Sequence, residues 1–213
     1  MRAAGLGLGL LALGAPLAAQ RVTFGPQFAL MDYREVSSGL RYSGTGGGAV
    51  AALTYRRFSL AAAAVRLSLD PTDGSTAGVG FTATQIDAWV GYDVASYASL
   101  EVGVIRRTAD PELDAQSLGA VRVGARSSYP LGPGATVSFR ANYLAAPKFS
   151  GGGHAAFSLD LGLGLDVQLF GHVRGLADYG FQRVNRRTDP GGQGEIDSPI
   201  QQSVARVGLG VGF

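Results

Sequence analysis

The sequence predicts an all-β fold: a transmembrane up-and-down antiparallel β-barrel of about ten strands, with eight as the alternative count. Three observations predict it. Beyond residue 20, apolar side chains recur with a period of two, the spacing that puts them on one face of a strand. The links between these stretches alternate short and long along the chain, as they do when a meander has all its tight turns at one rim. The composition is also unlike that of an average soluble domain: 33 Gly in 213 residues, no Cys, 46% hydrophobic and only 16% charged residues, against about 25% charged and about 7% Gly in typical domains. These glycines lie among Val, Leu, Phe and Tyr without triplet spacing, which excludes collagen-like and disordered readings. A formal charge of +2 with no basic tract argues against a nucleic-acid partner. The lack of Cys removes disulfides, thiolate metal sites and thiol nucleophiles.

Residues 1–19 read as a secretory signal peptide. One positive charge, Arg2, precedes the apolar stretch from Ala3 to Leu13, followed by Gly14, Pro16 and the small tripeptide Leu17-Ala18-Ala19, a layout too short to span a bilayer as a helix. The barrel is then residues 20–213. Turn signals divide it into strands near 21–33, 44–55, 58–69, 80–92, 98–108, 117–129, 135–146, 155–168, 173–183 and 200–213. Tight links fall at 56–57, 93–97, 130–134 and 169–172; longer Gly/Ser/Asp/Pro segments fall at 34–43, 70–79, 109–116, 147–154 and 184–199. The alternation is clearest from Phe157 through Leu159, Leu161, Leu163, Leu165 and Val167 to Leu169, with Ser158, Asp160, Gly162, Gly164, Asp166 and Gln168 between them. It is weakest in two places: 44–52 is Gly/Ala-rich, and the parity of 58–69 drifts beyond Ala64.

Which face points outward decides between a soluble and a membrane barrel. A soluble barrel turns its apolar face inward. Here the polar face is narrow, Gly-rich and carries charges of both signs, so the apolar face is expected to meet lipid, where only a closed barrel satisfies every backbone group. Aromatic residues support that orientation, since Tyr and Trp favour membrane interfaces. Tyr55, Phe58, Tyr92, Tyr97, Tyr129, Phe170 and Phe213 lie near the short-turn ends, and Tyr33, Tyr42, Phe81, Phe149, Phe157 and Phe181 suggest a looser second ring near the long loops. The chain ends on Phe213, with Val211, Leu209 and Val207 at alternate positions before it. In these features it resembles the small bacterial outer-membrane β-barrel proteins, of the outer-membrane protein β-barrel domain type. The resemblance implies an outer-membrane location, contact with outer-membrane lipid, and recognition of the terminal pattern Val207, Leu209, Val211 and Phe213 by the barrel-assembly machinery.

A ten-stranded barrel is only a little wider than one whose side chains fill it, so the lumen is expected to be mostly plugged. The inward charges are Asp87, Glu101, Arg107, Arg122, Arg126, Arg140, Asp160, Asp166, Arg174, Asp178 and Arg206. They are expected to pair, because an isolated charge in a low-dielectric lumen is costly. A three-residue loop at 169–171 would set Gln168 opposite His172 and Asp166 opposite Arg174. Little else carries chemistry. His154 and His172 lie at opposite rims, and Asp70-Pro71-Thr72-Asp73-Gly74 lacks the spacing of a calcium loop. No catalytic, cofactor-binding or metal residues are therefore expected. The reading that follows is a non-enzymatic barrel with an envelope-structural or narrow-pore role for small solutes. The alternatives are an adhesion barrel that binds through its long loops and, behind it, an outer-membrane hydrolase or acyltransferase using His154.

Overall fold

The computed structural model describes residues 20–110, 113–189 and 194–212. Ten strands make up almost all of it: β1 (Gln20–Glu35), β2 (Arg41–Tyr55), β3 (Phe58–Pro71), β4 (Phe81–Ala95), β5 (Ala98–Asp110), β6 (Leu118–Gly132), β7 (Ala135–Phe149), β8 (His154–Phe170), β9 (Val173–Thr188) and β10 (Ile196–Gly212). Each pairs antiparallel with its sequence neighbours, and β1 pairs with β10 to close the barrel. The count is ten, not eight. The only helical element among the described residues is one 3-10 turn, Asp114–Gln116. The signal-peptide residues 1–19 and the terminal Phe213 lie outside the described residues.

Most of the strands run further toward the long-loop rim than the sequence pattern indicates. They are 13 to 17 residues long, whereas about 9 to 11 tilted residues cross a bilayer. The surplus has a different chemistry, and β3 shows it most plainly. From the short-turn end, its outward residues are Phe58, Leu60, Ala62 and Ala64, then Arg66, Ser68 and Asp70; its buried residues are Ala61, Ala63, Val65, Leu67 and Leu69. Parity never changes. The chemistry of each face swaps, so the drift beyond Ala64 marks a change of surroundings and not a slip of register.

The same exchange recurs around the barrel. In the lower tier, on the short-turn side, the outer face is apolar: Leu100, Val102 and Val104 on β5, Leu161, Leu163 and Leu165 on β8, and Val207, Leu209 and Val211 on β10 are all exposed. In the upper tier the outer face turns polar, with Asp32 and Arg34 on β1, Thr82 and Thr84 on β4, and Arg106, Thr108 and Asp110 on β5. The upper interior is correspondingly apolar. Met31, Leu67, Leu69, Phe81, Ile105, Leu118, Leu144, Val184 and Ile200 form one buried cluster to which every strand contributes, β8 through half-buried Ala155. The expectation of an apolar exterior and polar interior along whole strands is thus corrected: it describes the lower tier, and the upper tier is built the other way round, like a soluble barrel.

The looser aromatic ring is corrected for the same reason. Tyr33, Tyr42, Phe81 and Phe149 are buried inside the upper tier, and only Phe157 is clearly exposed, with Phe181 on the same outward parity. Tyr33, Tyr42 and Phe81 pack edge to face, with ring centroids 4.8 to 6.3 Å apart. The short-turn girdle does face outward, with Phe58 against Tyr92 at 5.1 Å and Tyr97 stacked on Tyr129 at 5.5 Å. One glycine run has a steric cause: at Gly44, Gly46 and Gly48 of β2 a Cβ would collide with the backbone of β3, so the close approach of these two strands needs residues without side chains there.

Candidate functional site

All eleven inward charges named from the sequence face the lumen, and six of them form a closed ring. Asp87 of β4 accepts from Arg122 of β6 at 2.9 Å. Arg122 Nε lies 3.0 Å from Asp160 of β8, and Asp160 lies 3.8 Å from Arg140 Nε of β7. Arg140 donates to Asp178 of β9 at 2.7 Å; Arg206 of β10 donates to the same carboxylate at 3.0 Å and returns to Asp87 at 3.2 Å. Three carboxylates and three guanidinium groups alternate around the lumen, each charge between two of opposite sign. Guanidinium suits this place because its planar fork bonds two carboxylates at once. Room for Arg140 comes from Gly162 on the neighbouring strand, where any Cβ would strike the guanidinium.

The remaining charges sit around the ring. Glu101 pairs with Arg126 at 2.8 Å, and Arg174 Nε donates to Asp166 at 2.7 Å. Arg107 is the departure from the expected pairing. It is 2% exposed, and among the described residues no carboxylate forms an ion pair with it. It donates to the side-chain oxygens of Gln202 and, at 3.5 Å, Gln182, and lies over the Tyr33 ring at 5.4 Å.

The hairpin that carries Asp166 and Arg174 is corrected in register. Its turn has two residues, Gly171 and His172, with Phe170 opposite Val173, and a bulge between Gln168 and Phe170 restores the phase that a two-residue turn alone would break. Gln168 therefore sits opposite Arg174, and Asp166 opposite Leu176. Asp166 and Arg174 meet diagonally on the same face. His172 sits at the rim, where its Nδ1 lies 3.0 Å from the Gly212 carbonyl.

The ring divides the lumen. On its short-turn side lies a cavity of about 330 Å³ whose lining includes Thr23, Ser59, Trp89, Ser128, Thr136 and Ser138. On its other side the free space shrinks to about 10 Å³ between Gln85, Gln182, Gln202 and the ring itself, at or below what one water occupies. Amides fill this layer: Gln202 donates to Gln85 at 2.7 Å, and Gln85 to Asp87 at 2.9 Å. Above it stands the apolar core, and above that Gln116, from the 3-10 turn, reaches in between Tyr33 at 2.6 Å and Glu35 at 2.5 Å. The glutamine layer and this capping contact were missed in the sequence, though Gln85, Gln182 and Gln202 share the inward parity of the charges beside them.

The other candidate chemistry stays apart. His154 lies 3.7 Å from Glu195, and both side chains are more than half exposed. Ser158 is wholly buried on the lumen side of β8. Among the described residues no group of three or more His, Asp or Glu is placed to hold a metal ion.

No family model matches the chain and no curated protein is similar to it. Solved structures are similar in architecture. An outer-membrane protease, OmpT of Escherichia coli, is 9% identical with a TM-score of 0.45, over 95% of this chain and 99% of that one. Neisserial surface protein A is 11% identical with a TM-score of 0.44, over 89% and 96%. An outer-membrane channel from Pseudomonas putida F1 is 12% identical with a TM-score of 0.42, over 94% and 97%. The fold is a transmembrane β-barrel. That conclusion rests on the chain's own faces: a closed sheet whose lower tier is apolar outside and charged inside is stable only with hydrocarbon around it.

Proposed function

We propose that the protein is an integral barrel of the bacterial outer membrane that is closed at rest, performs no chemistry of its own and serves the structure of the envelope. The observation that carries this reading is the double closure of the lumen, first by the neutral ring of Asp87, Arg122, Asp160, Arg140, Asp178 and Arg206 and then by the apolar core above it. An ion crossing this lumen would have to part guanidinium-carboxylate pairs and then enter a dry layer, both of which are costly. The exposed His154–Glu195 pair has its neighbouring lumen serine, Ser158, sealed away from it, which favours a non-catalytic reading. Export by residues 1–19 and delivery through the terminal pattern Val207, Leu209, Val211 and Phe213 belong to the same proposal.

Planar bilayer recording tests it. The reconstituted protein is expected to add no steady conductance in molar potassium chloride, and to insert nonetheless, as judged by faster migration of the unboiled than the boiled protein on a gel. Steady unitary currents from inserted protein would instead establish the narrow-pore role.

A further inference from the structure

The outer wall carries a groove that the closed lumen does not explain. In the upper half of the apolar belt, above Leu53 and Leu60, the outward side chains of β2 and β3 shrink to Ala49, Ala51, Ala62 and Ala64. On either side the wall rises to Phe24, Leu209 and Val211 and to Ile86. The result is an almost wholly apolar groove of about 740 Å³. It runs from Val173 on β9, beside the short-turn rim, obliquely to Ile86 on β4, at the top of the belt. Measured across the strands, five interstrand spacings make about 24 Å, halfway round the ten-strand wall.

Its upper end is polar. The next outward residues above Ala49, Ala64 and Ile86 are Gly47, Arg66 and Thr84, which lie side by side in register, and Arg106 sits directly opposite Ile86 on β5. A second hollow, of about 450 Å³, opens there between Arg66, Thr82, Thr84, Thr108 and Asp110. Among the described residues neither Arg66 nor Arg106 forms an ion pair, although Asp110 lines the same hollow. An apolar channel leading into a notch of hydroxyls, the Arg66 guanidinium and the Asp110 carboxylate, with Arg106 one outward position below Thr108 on β5, matches an amphiphile with a hydrocarbon chain and an anionic head that both guanidinium groups approach. Guanidinium and hydroxyl donors together favour phosphate.

We infer that this face holds a phosphate-bearing membrane lipid of the leaflet on the long-loop side, with one acyl chain along Ala49, Ala51, Ala62 and Ala64 and its phosphate between Arg66 and Arg106. The inference rests on the transmembrane reading above. The small-residue floor lets the chain lie against the wall, and the arginines hold the head at the level where the belt ends. A neutral lipid of the same chain length gains the groove but not the notch.

Native mass spectrometry of the folded protein in detergent tests this, with dimyristoyl phosphatidic acid, dimyristoylglycerol and inorganic phosphate as probes. Wild type is expected to retain phosphatidic acid at least tenfold more strongly than dimyristoylglycerol, and inorganic phosphate hardly at all. The double variant Arg66→Gln/Arg106→Gln should lose that preference and keep the weaker binding of dimyristoylglycerol. Ala62→Phe, an apolar change on a lipid-facing position, should fill the groove and weaken both lipids while leaving the unboiled gel mobility unchanged. Equal retention of phosphatidic acid by all three proteins overturns the inference. So does free phosphate binding as well as the lipid, or a second copy of the chain occupying the groove. Wild type that fails to insert into vesicles overturns the transmembrane reading itself, whereas insertion without lipid preference overturns only the site.

Discussion

Asp87 receives three donors: Arg122 at 2.9 Å and Gln85 at 2.9 Å from its own tier of the lumen, and Arg206 at 3.2 Å from across it. Removing the carboxylate leaves two buried guanidinium groups short of a partner, and breaking one side of a buried pair costs about 3–5 kcal/mol. Asp87→Ala is therefore expected to lower the unfolding free energy by that amount in guanidinium titrations of the vesicle-inserted protein. Arg107 gives the opposite expectation. Its guanidinium is buried with amides and an aromatic ring as partners, so its desolvation is poorly compensated. In Arg107→Met the removed charge offsets the amide oxygens left without a donor. Stability within about 1 kcal/mol of wild type is expected; a loss as large as that of Asp87→Ala would mean that Arg107 belongs energetically to the ring.

At the scale of the strand, alternation located all ten elements, because a period of two survives whichever solvent lies outside. What alternation cannot supply is the identity of that solvent. β3 keeps one parity from Phe58 to Asp70 while its outer side passes from lipid to water, so its hydrophobic pattern inverts between Ala64 and Leu67. Tyr33 and Tyr42 read as interface residues because they stand near strand ends, yet Tyr33 shares parity with buried Thr23 and Gln27, and that parity was the usable signal. Glu101 and Asp166 were legible as inward charges from parity alone. The ring was not legible, because closure joins strands far apart in sequence, such as those of Asp87 and Arg206. The two tiers predict unequal responses to one substitution type. Leu163→Arg, in the lipid belt of β8, should destabilise the inserted barrel by about 2–4 kcal/mol. Ser68→Arg, outward in the upper tier of β3, should stay within about 0.5 kcal/mol. Equal costs at both positions would mean that lipid reaches the upper tier.

For the whole molecule the two tiers define how deep the barrel sits. Its apolar belt ends near Ala64 on β3 and Ile86 on β4, and the polar-faced continuation of these strands carries the long loops clear of the hydrocarbon. The lower rim, with its tight turns and aromatic girdle, lies at the opposite interface. Because the chain has no Cys, single cysteines report position without background. In intact cells a membrane-impermeant maleimide is expected to label Ser68→Cys, on the outer face of the upper tier. Ala62→Cys, two outward positions below Arg66 on the same strand, should stay unlabelled because thiolate forms poorly in hydrocarbon and the reagent does not enter it. Arg57→Cys, in the turn between β2 and β3, should stay unlabelled in intact cells and react once the outer membrane is permeabilised. Labelling of Arg57→Cys in intact cells would invert the barrel in the membrane. Labelling of Ala62→Cys would place the belt in water, leaving the charged ring as the interior of a barrel with no hydrocarbon to justify it.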